Sequence, residues 1–247
     1  MKNKIIAILI LCVAGLASAQ TSSAVKSTAH EHRGFYSNMS FAFAYNWYEN
    51  SRVDLGRGGE NGKKRLVDIY KFDGFTFPLS EFRFGVGIGN LVAVHFGFNI
   101  GFFAGSLDYN YEVYNSQCPI GTECPETFDE SRYIDDKAND ANGIRMFLGF
   151  GTTFYPIQSK TSPLNGLFIG GSVGYTLFVT LFDSKHEDAT GNGGFGYQFE
   201  IGKEWWVNDH MSIGFGIGFA HSVLTWETVD SHSSDNVLSL SFRLTRG

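Results

Sequence analysis

The 247-residue chain carries 25 Asp and Glu against 19 Lys and Arg, a formal charge of −6, so it offers no basic face for nucleic acid. Beyond its first residues no apolar run reaches the 18 that would suggest a helical membrane span. Thirty glycines, well above the ordinary share of about 7 %, and 24 phenylalanines point instead to a crowded sheet with an oily surface.

The N-terminus reads as a secretion signal over residues 1–19. Lys2 and Lys4 form a positive region, Ile5 to Leu16 is apolar, and Ala17-Ser18-Ala19 is a small-residue cleavage site. The apolar run is shorter than the roughly 20 residues of a spanning helix. Leu11, where a lipoprotein signal has a small residue, argues against lipid attachment at Cys12. Cleavage leaves 17 positive charges (19 less the two lysines) against 25 acids. Residues 20–33 are expected to be a flexible periplasmic leader, and its His30-Glu31-His32 a disordered stretch rather than a metal site.

From residue 34 onward the chain alternates. In a strand successive side chains point to opposite faces. Gly34 to Tyr48 accordingly sets Phe35, Met39, Phe41, Phe43, Tyr45 and Trp47 against Tyr36, Asn38, Ser40, Ala42, Ala44 and Asn46. A second strand is expected over Leu66 to Ile88, with Glu81 and Arg83 on its small-residue face and a bulge or kink at Pro78, which cannot donate to a ladder. After a tight turn near Asn90, the third carries Val92 to Phe102 outward on even positions, with His95 and Asn99 opposite. The fourth has Ile144 to Phe154 outward and Arg145 inward. Leu167 to Leu181 is the fifth strand, and Phe195 to Trp205, with Glu200 and Glu204 inward, the sixth. Ile213 to Phe219 is the seventh, and Leu238 to Leu244, with Arg243 inward, the last.

Charged residues share the glycine-rich face. A soluble sandwich would put that face in water, where glycine weakens a strand without packing anything; a narrow lumen accounts for it better. Lipid offers no partner for a bare backbone N–H or C=O, so a spanning sheet must close on itself. The fold class expected is all-β, an eight-stranded antiparallel up-and-down transmembrane barrel over residues 34–247. Long connections (49–65, 115–142, 183–193, 227–235) alternate with shorter ones near Asn90, at 156–165 and at 208–210, as outer loops alternate with periplasmic turns. Tyr45, Trp47 and Trp226 are expected at the outer interface, and Tyr155, Trp205 and Trp206 at the inner one.

The signal peptide, the eight alternating segments and the final Leu238-Ser-Leu-Ser-Phe242 strand resemble the small outer-membrane barrels typified by the OmpA transmembrane domain, OmpX and OmpW. The resemblance is architectural and covers about residues 34–247; five residues follow Phe242, where such families end on an aromatic. It implies a bacterial outer-membrane location with periplasmic termini and extracellular long loops. The implied partners are membrane lipid, lipopolysaccharide and the barrel-insertion machinery, and a monomer is expected.

Eight strands leave an interior that side chains can fill or that holds one small ligand, which excludes a general diffusion pore. Glu81, Arg83, His95, Asn99, Arg145, Glu200, Glu204 and Arg243 are expected to form a polar network in the lumen, since buried charges must be paired. A general-base pair of His95 with a carboxylate is the sharper alternative. The close His/Ser pairs, His210–Ser212 and His221–Ser222, lack an obvious carboxylate, so no catalytic residue, metal or cofactor is expected. Cys118 and Cys124 suit a loop disulfide in an oxidising compartment, sulfur ligation of a metal being the alternative. The function expected is envelope structure or surface contact. Passage of small hydrophobic solutes, which the OmpW resemblance implies, is the second reading.

Overall fold

The computed structural model describes residues 31–57, 63–116, 127–130, 136–159, 161–181, 190–225 and 232–247. Nine strands occur among them: β1 (Gly34–Arg57), β2 (Lys63–Ile88), β3 (Val92–Ser116), β4 (Thr127–Glu130), β5 (Asp136–Phe154), β6 (Leu167–Leu181), β7 (Thr190–Trp206), β8 (Met211–Thr225) and β9 (His232–Arg246). Eight of them form a ring in the order β1-β2-β3-β5-β6-β7-β8-β9, closed by β9 pairing with β1. Every pairing is antiparallel. The short β4 pairs only with β3, outside the ring. The fold is a closed eight-stranded antiparallel β-barrel.

Residue periodicity builds this wall. Phe43, Phe96, Phe150, Phe199, Phe215 and Leu240, with many similar residues, are exposed on the outer face, while their neighbours in sequence turn inward. A continuous apolar jacket of that extent has no counterpart on a soluble monomer, where apolar patches span a few hundred Å². The jacket belongs in lipid. Lys203 interrupts it, but its Nζ donates to the Asn165 carbonyl (3.0 Å) at the turn, so its charge reaches out of the apolar zone.

The parity of β2 changes part-way. Phe72, Gly74 and Thr76 are buried on even positions, then Leu79, Glu81 and Arg83 on odd ones. The register sets Phe77 and Pro78 of β2 against the single Phe43 of β1, so one extra residue flips the alternation. Between β2 and β3 lies a three-residue connection, Gly89 to Leu91. Gly89 (φ 62°) and Asn90 (φ 58°) are the left-handed central residues of a turn closed by Leu91 N–H donating to the Ile88 carbonyl (3.1 Å). This geometry follows the twist of a hairpin and favours glycine and asparagine.

The strands differ from expectation in height. β1, β2 and β3 run for 24, 26 and 25 residues, against 15 to 17 for β6 to β9. The segment 49–65, expected as a loop, is mostly the tops of β1 and β2, and 115–142 contains the end of β3, β4 and the start of β5. β7 starts at Thr190 and β9 at His232, so the other two long connections are shorter than expected as well. In these upper parts the alternation that marks a strand in sequence fades while the hydrogen-bonded ladder continues.

A candidate functional site in the barrel lumen

The inward residues form tiers. At the end bearing the short turns, Glu204 of β7 accepts from Ser212 of β8 at Oε2 (2.7 Å) and from Thr245 of β9 at Oε1 (2.8 Å). Arg243 of β9 bridges the next tier: its Nε lies 3.2 Å from Glu204 Oε1, and one terminal nitrogen donates to Glu200 Oε2 at 2.7 Å. Its guanidinium also lies 3.9 Å from the centre of the Phe168 ring. Arg83 reaches both Glu200 (2.8 Å) and Glu81 (2.7 Å). Gln198 donates to Glu81 (2.8 Å) and accepts from Asn99 (3.1 Å). Asn99 in turn accepts from Arg145 (3.2 Å), whose Nε donates to Asp235 at 2.7 Å.

All eight residues expected in the lumen are there, and seven join one chain of contacts. His95 is the eighth. It is buried, but its Nε2 meets the Thr153 hydroxyl (3.2 Å) and its ring stacks near Tyr36 (5.9 Å) rather than pairing with a carboxylate. Sequence reasoning missed Asp235, assigned to a loop, although it shares parity with Ser239, Ser241 and Arg243. Gln198 and Tyr36 were on the correct face but were not singled out.

The lumen is obstructed at two levels. Beyond Arg145 and Asp235 lies an apolar tier of Phe72, Phe103, Phe178, Leu107 and Leu224, all buried. At the turn end Tyr36, Tyr155 and Phe168 pack together. Between the two is a cavity of about 40 Å³ lined by Glu81, Arg83, Asn99, Arg145 and Gln198. At roughly 10–15 Å³ per water, that is space for about three waters. Inward glycines are occupied by neighbours: a Cβ on Gly216 would come within 2.6 Å of Glu200 Oε1, and one on Gly202 within 2.6 Å of the Phe168 ring. They make space for side chains reaching across the lumen.

His32 was expected in a flexible leader. It is instead buried in the turn-end mouth, 2 % exposed, with its backbone N–H donating to Asn90 Oδ1 (2.9 Å). Its ring stacks on Tyr155 (4.0 Å between centroids, 21° between planes) and tilts against Trp206 (4.6 Å). Nε2 lies 3.5 Å from Glu204 Oε2. Burial lowers the imidazole pKa to about 4, Glu204 acting against that shift and Arg243 adding to it. Burial, with Glu204 next, raises the Tyr155 phenol well above its usual value.

The interface aromatics therefore divide. Tyr45, Trp47 and Trp205 lie on the outer face, Tyr45 donating to Asp73 (2.7 Å) and Trp205 half-exposed. Tyr155 is corrected: its ring turns into the mouth because His32 gives it a stacking partner there. Trp206 contacts the same imidazole, as parity on β7 requires. Trp226, Cys118 and Cys124 lie outside the described residues.

No family model and no curated protein matches the chain. Among solved structures it resembles Ail, the attachment invasion locus protein of Yersinia pestis, at 13 % identity over 85 % of this chain and 99 % of that one, with a TM-score of 0.38. The outer membrane protein OprG of Pseudomonas aeruginosa gives 11 %, 88 %, 98 % and 0.39. The outer membrane protease OmpT of Escherichia coli gives 7 %, 92 %, 99 % and 0.37. The likeness is one of barrel architecture.

Proposed function

We propose that the chain is an integral outer-membrane barrel that does not conduct and that acts at the cell surface through the tall wall of β1, β2 and β3. The observation that carries the reading is the obstructed lumen, where a salt-bridged network lies between two packed tiers. An aqueous pore needs a continuous wet path, and the cavity between the tiers is the size of a few waters. With a spanning strand needing about 9–11 residues, strands of 24 to 26 residues leave more than a dozen for a projecting wall. The secretion signal at residues 1–19 supports export, and the short-turn end with both termini is then periplasmic. Membrane lipid and lipopolysaccharide surround the jacket, insertion depends on the barrel-assembly machinery, and the chain is a monomer. Chemistry is not part of this reading, because His95, the catalytic candidate read from the sequence, meets the Thr153 hydroxyl rather than a carboxylate.

Two measurements test it. Purified barrel in planar bilayers gives no stable conductance steps, and a membrane-impermeant thiol reagent labels Gly56→Cys on intact cells, with Cys12, Cys118 and Cys124 replaced by serine. Discrete channels in the folded barrel would overturn the closed-lumen reading. Labelling only after the outer membrane is permeabilised would overturn the orientation.

A further inference from the structure

The turn-end mouth is built around His32 more closely than a loose leader requires. The imidazole lies between Tyr155 and Trp206 with Tyr36 at its edge, 6.3 Å away. The Asn90 side chain, held by the left-handed turn, takes the backbone N–H that precedes the ring. The wall is relieved to admit this segment: a Cβ on Gly87 would come within 2.2 Å of the His32 carbonyl oxygen. Neither ring nitrogen has a hydrogen-bond partner among the described residues, so stacking and shape, rather than a directed bond, hold the ring. β1 starts two residues later, so His32 is joined to the barrel wall through Arg33.

We propose that this mouth is an imidazole socket, closed in cis by His32, and that residues 31–33 are a removable stopper over the buried polar tiers. Aromatic faces on two sides define the ligand class as a flat ring, and Glu204, 3.5 Å from Nε2, faces the nitrogen of an imidazole occupant. The charged or titratable groups facing the ring are Glu204 of β7, Arg243 of β9, Tyr36 of β1, Tyr155 beyond β5 and the terminal Gly247, which packs against Nδ1, and the displaced pKa agrees with a neutral occupant. Removing the stopper exposes the Tyr36–Ala93–Tyr155–Phe168 tier and the Glu204 carboxylate to the periplasmic side. It does not open a pore, because the phenylalanine tier beyond Arg145 remains. The inference concerns the other end of the barrel from the proposed surface wall, so it stands or falls separately.

The test is chemical rescue. Ala93 is fully buried in the cluster with Tyr36, Tyr155 and Phe168, so Ala93→Cys, with Cys12, Cys118 and Cys124 replaced by serine, reports access to the tier. In detergent-solubilised barrel, a small thiol reagent is expected to label this cysteine slowly while His32 is present. In the His32→Gly background the rate rises by an order of magnitude or more, and millimolar imidazole restores protection, more strongly at pH 8 than at pH 6. His32→Phe, which keeps a flat ring in the socket, stays protected. Heat-modifiable migration on a gel establishes that each variant is folded. Equal labelling with and without His32 overturns the stopper. Labelling of folded His32→Gly that imidazole leaves unchanged overturns the socket.

Discussion

Replacing Arg243 by leucine removes the guanidinium that serves two carboxylates, and the two do not suffer equally. Glu200 keeps Arg83 at 2.8 Å, whereas Glu204 is left with two hydroxyl donors and the neutral His32. Among the described residues the lumen holds Arg83, Arg145 and Arg243 against Glu81, Glu200, Glu204 and Asp235, already one negative charge in excess. The variant raises that excess to two. Removing one partner of a buried ion pair costs about 3–5 kcal/mol, and that range is expected for Arg243→Leu. Adding Glu204→Gln removes the stranded charge and recovers about 2 kcal/mol, within the 0.5–3 kcal/mol typical of contacting pairs. Adding Glu200→Gln recovers less. The assay is reversible urea unfolding in lipid vesicles followed by tryptophan fluorescence, with these three variants and the two single glutamine variants compared as double-mutant cycles. A cost below about 1 kcal/mol for Arg243→Leu, or equal recovery from the two glutamines, would refute the pairing described.

Other predictions address the bulge and the mouth. Deleting Pro78 removes the extra β2 residue and turns Phe72 and Thr76 against the lipid, so no heat-modifiable barrel should form; Pro78→Ala keeps the residue count and should fold. Gly87→Ala puts a methyl against the His32 carbonyl, and a loss of about 1–3 kcal/mol, with faster labelling at Ala93→Cys, is expected. His32 is neutral in the barrel down to about pH 4 but titrates near 6.5 when unfolded. The unfolded chain therefore takes up a proton first, and stability should fall by about 3 kcal/mol as the pH drops from 6.5 to 4. Urea midpoints across that range measure the effect, and His32→Phe should remove this part of the slope.

Where one face met lipid and the other met small or polar groups, alternation exposed the barrel in the sequence, as at Phe82 to Ile88 or Ile213 to Phe219. Lumen charges were legible for the same reason, since Glu81, Arg145 and Arg243 stood on the glycine face. Legibility failed where both faces carried the same character. Phe102-Phe103, Met146-Phe147-Leu148 and Leu177-Phe178-Val179 are apolar on consecutive positions, so the inward phenylalanines were hidden among lipid-facing neighbours. The strand tops beyond Tyr48 failed in another way, because Glu49-Asn50-Ser51-Arg52 and Lys63-Lys64-Arg65 carry no apolar alternation. His32 and Tyr155 lie outside any strand period, and only the folded mouth brings them together.

Arg243, Thr245 and Asp235 are on the final strand, and their partners Tyr36, Asn38 and Asn46 are on the first. The seam that closes the cylinder is thus also where its internal wiring is completed. Until the C-terminal strand arrives, Glu200 and Glu204 have no Arg243, and an assembly that zipped shut one strand early would trap them in a dry, lipid-enclosed interior. That penalty acts as a proofreading step: the full-length sheet is the version in which every buried guanidinium finds its anion.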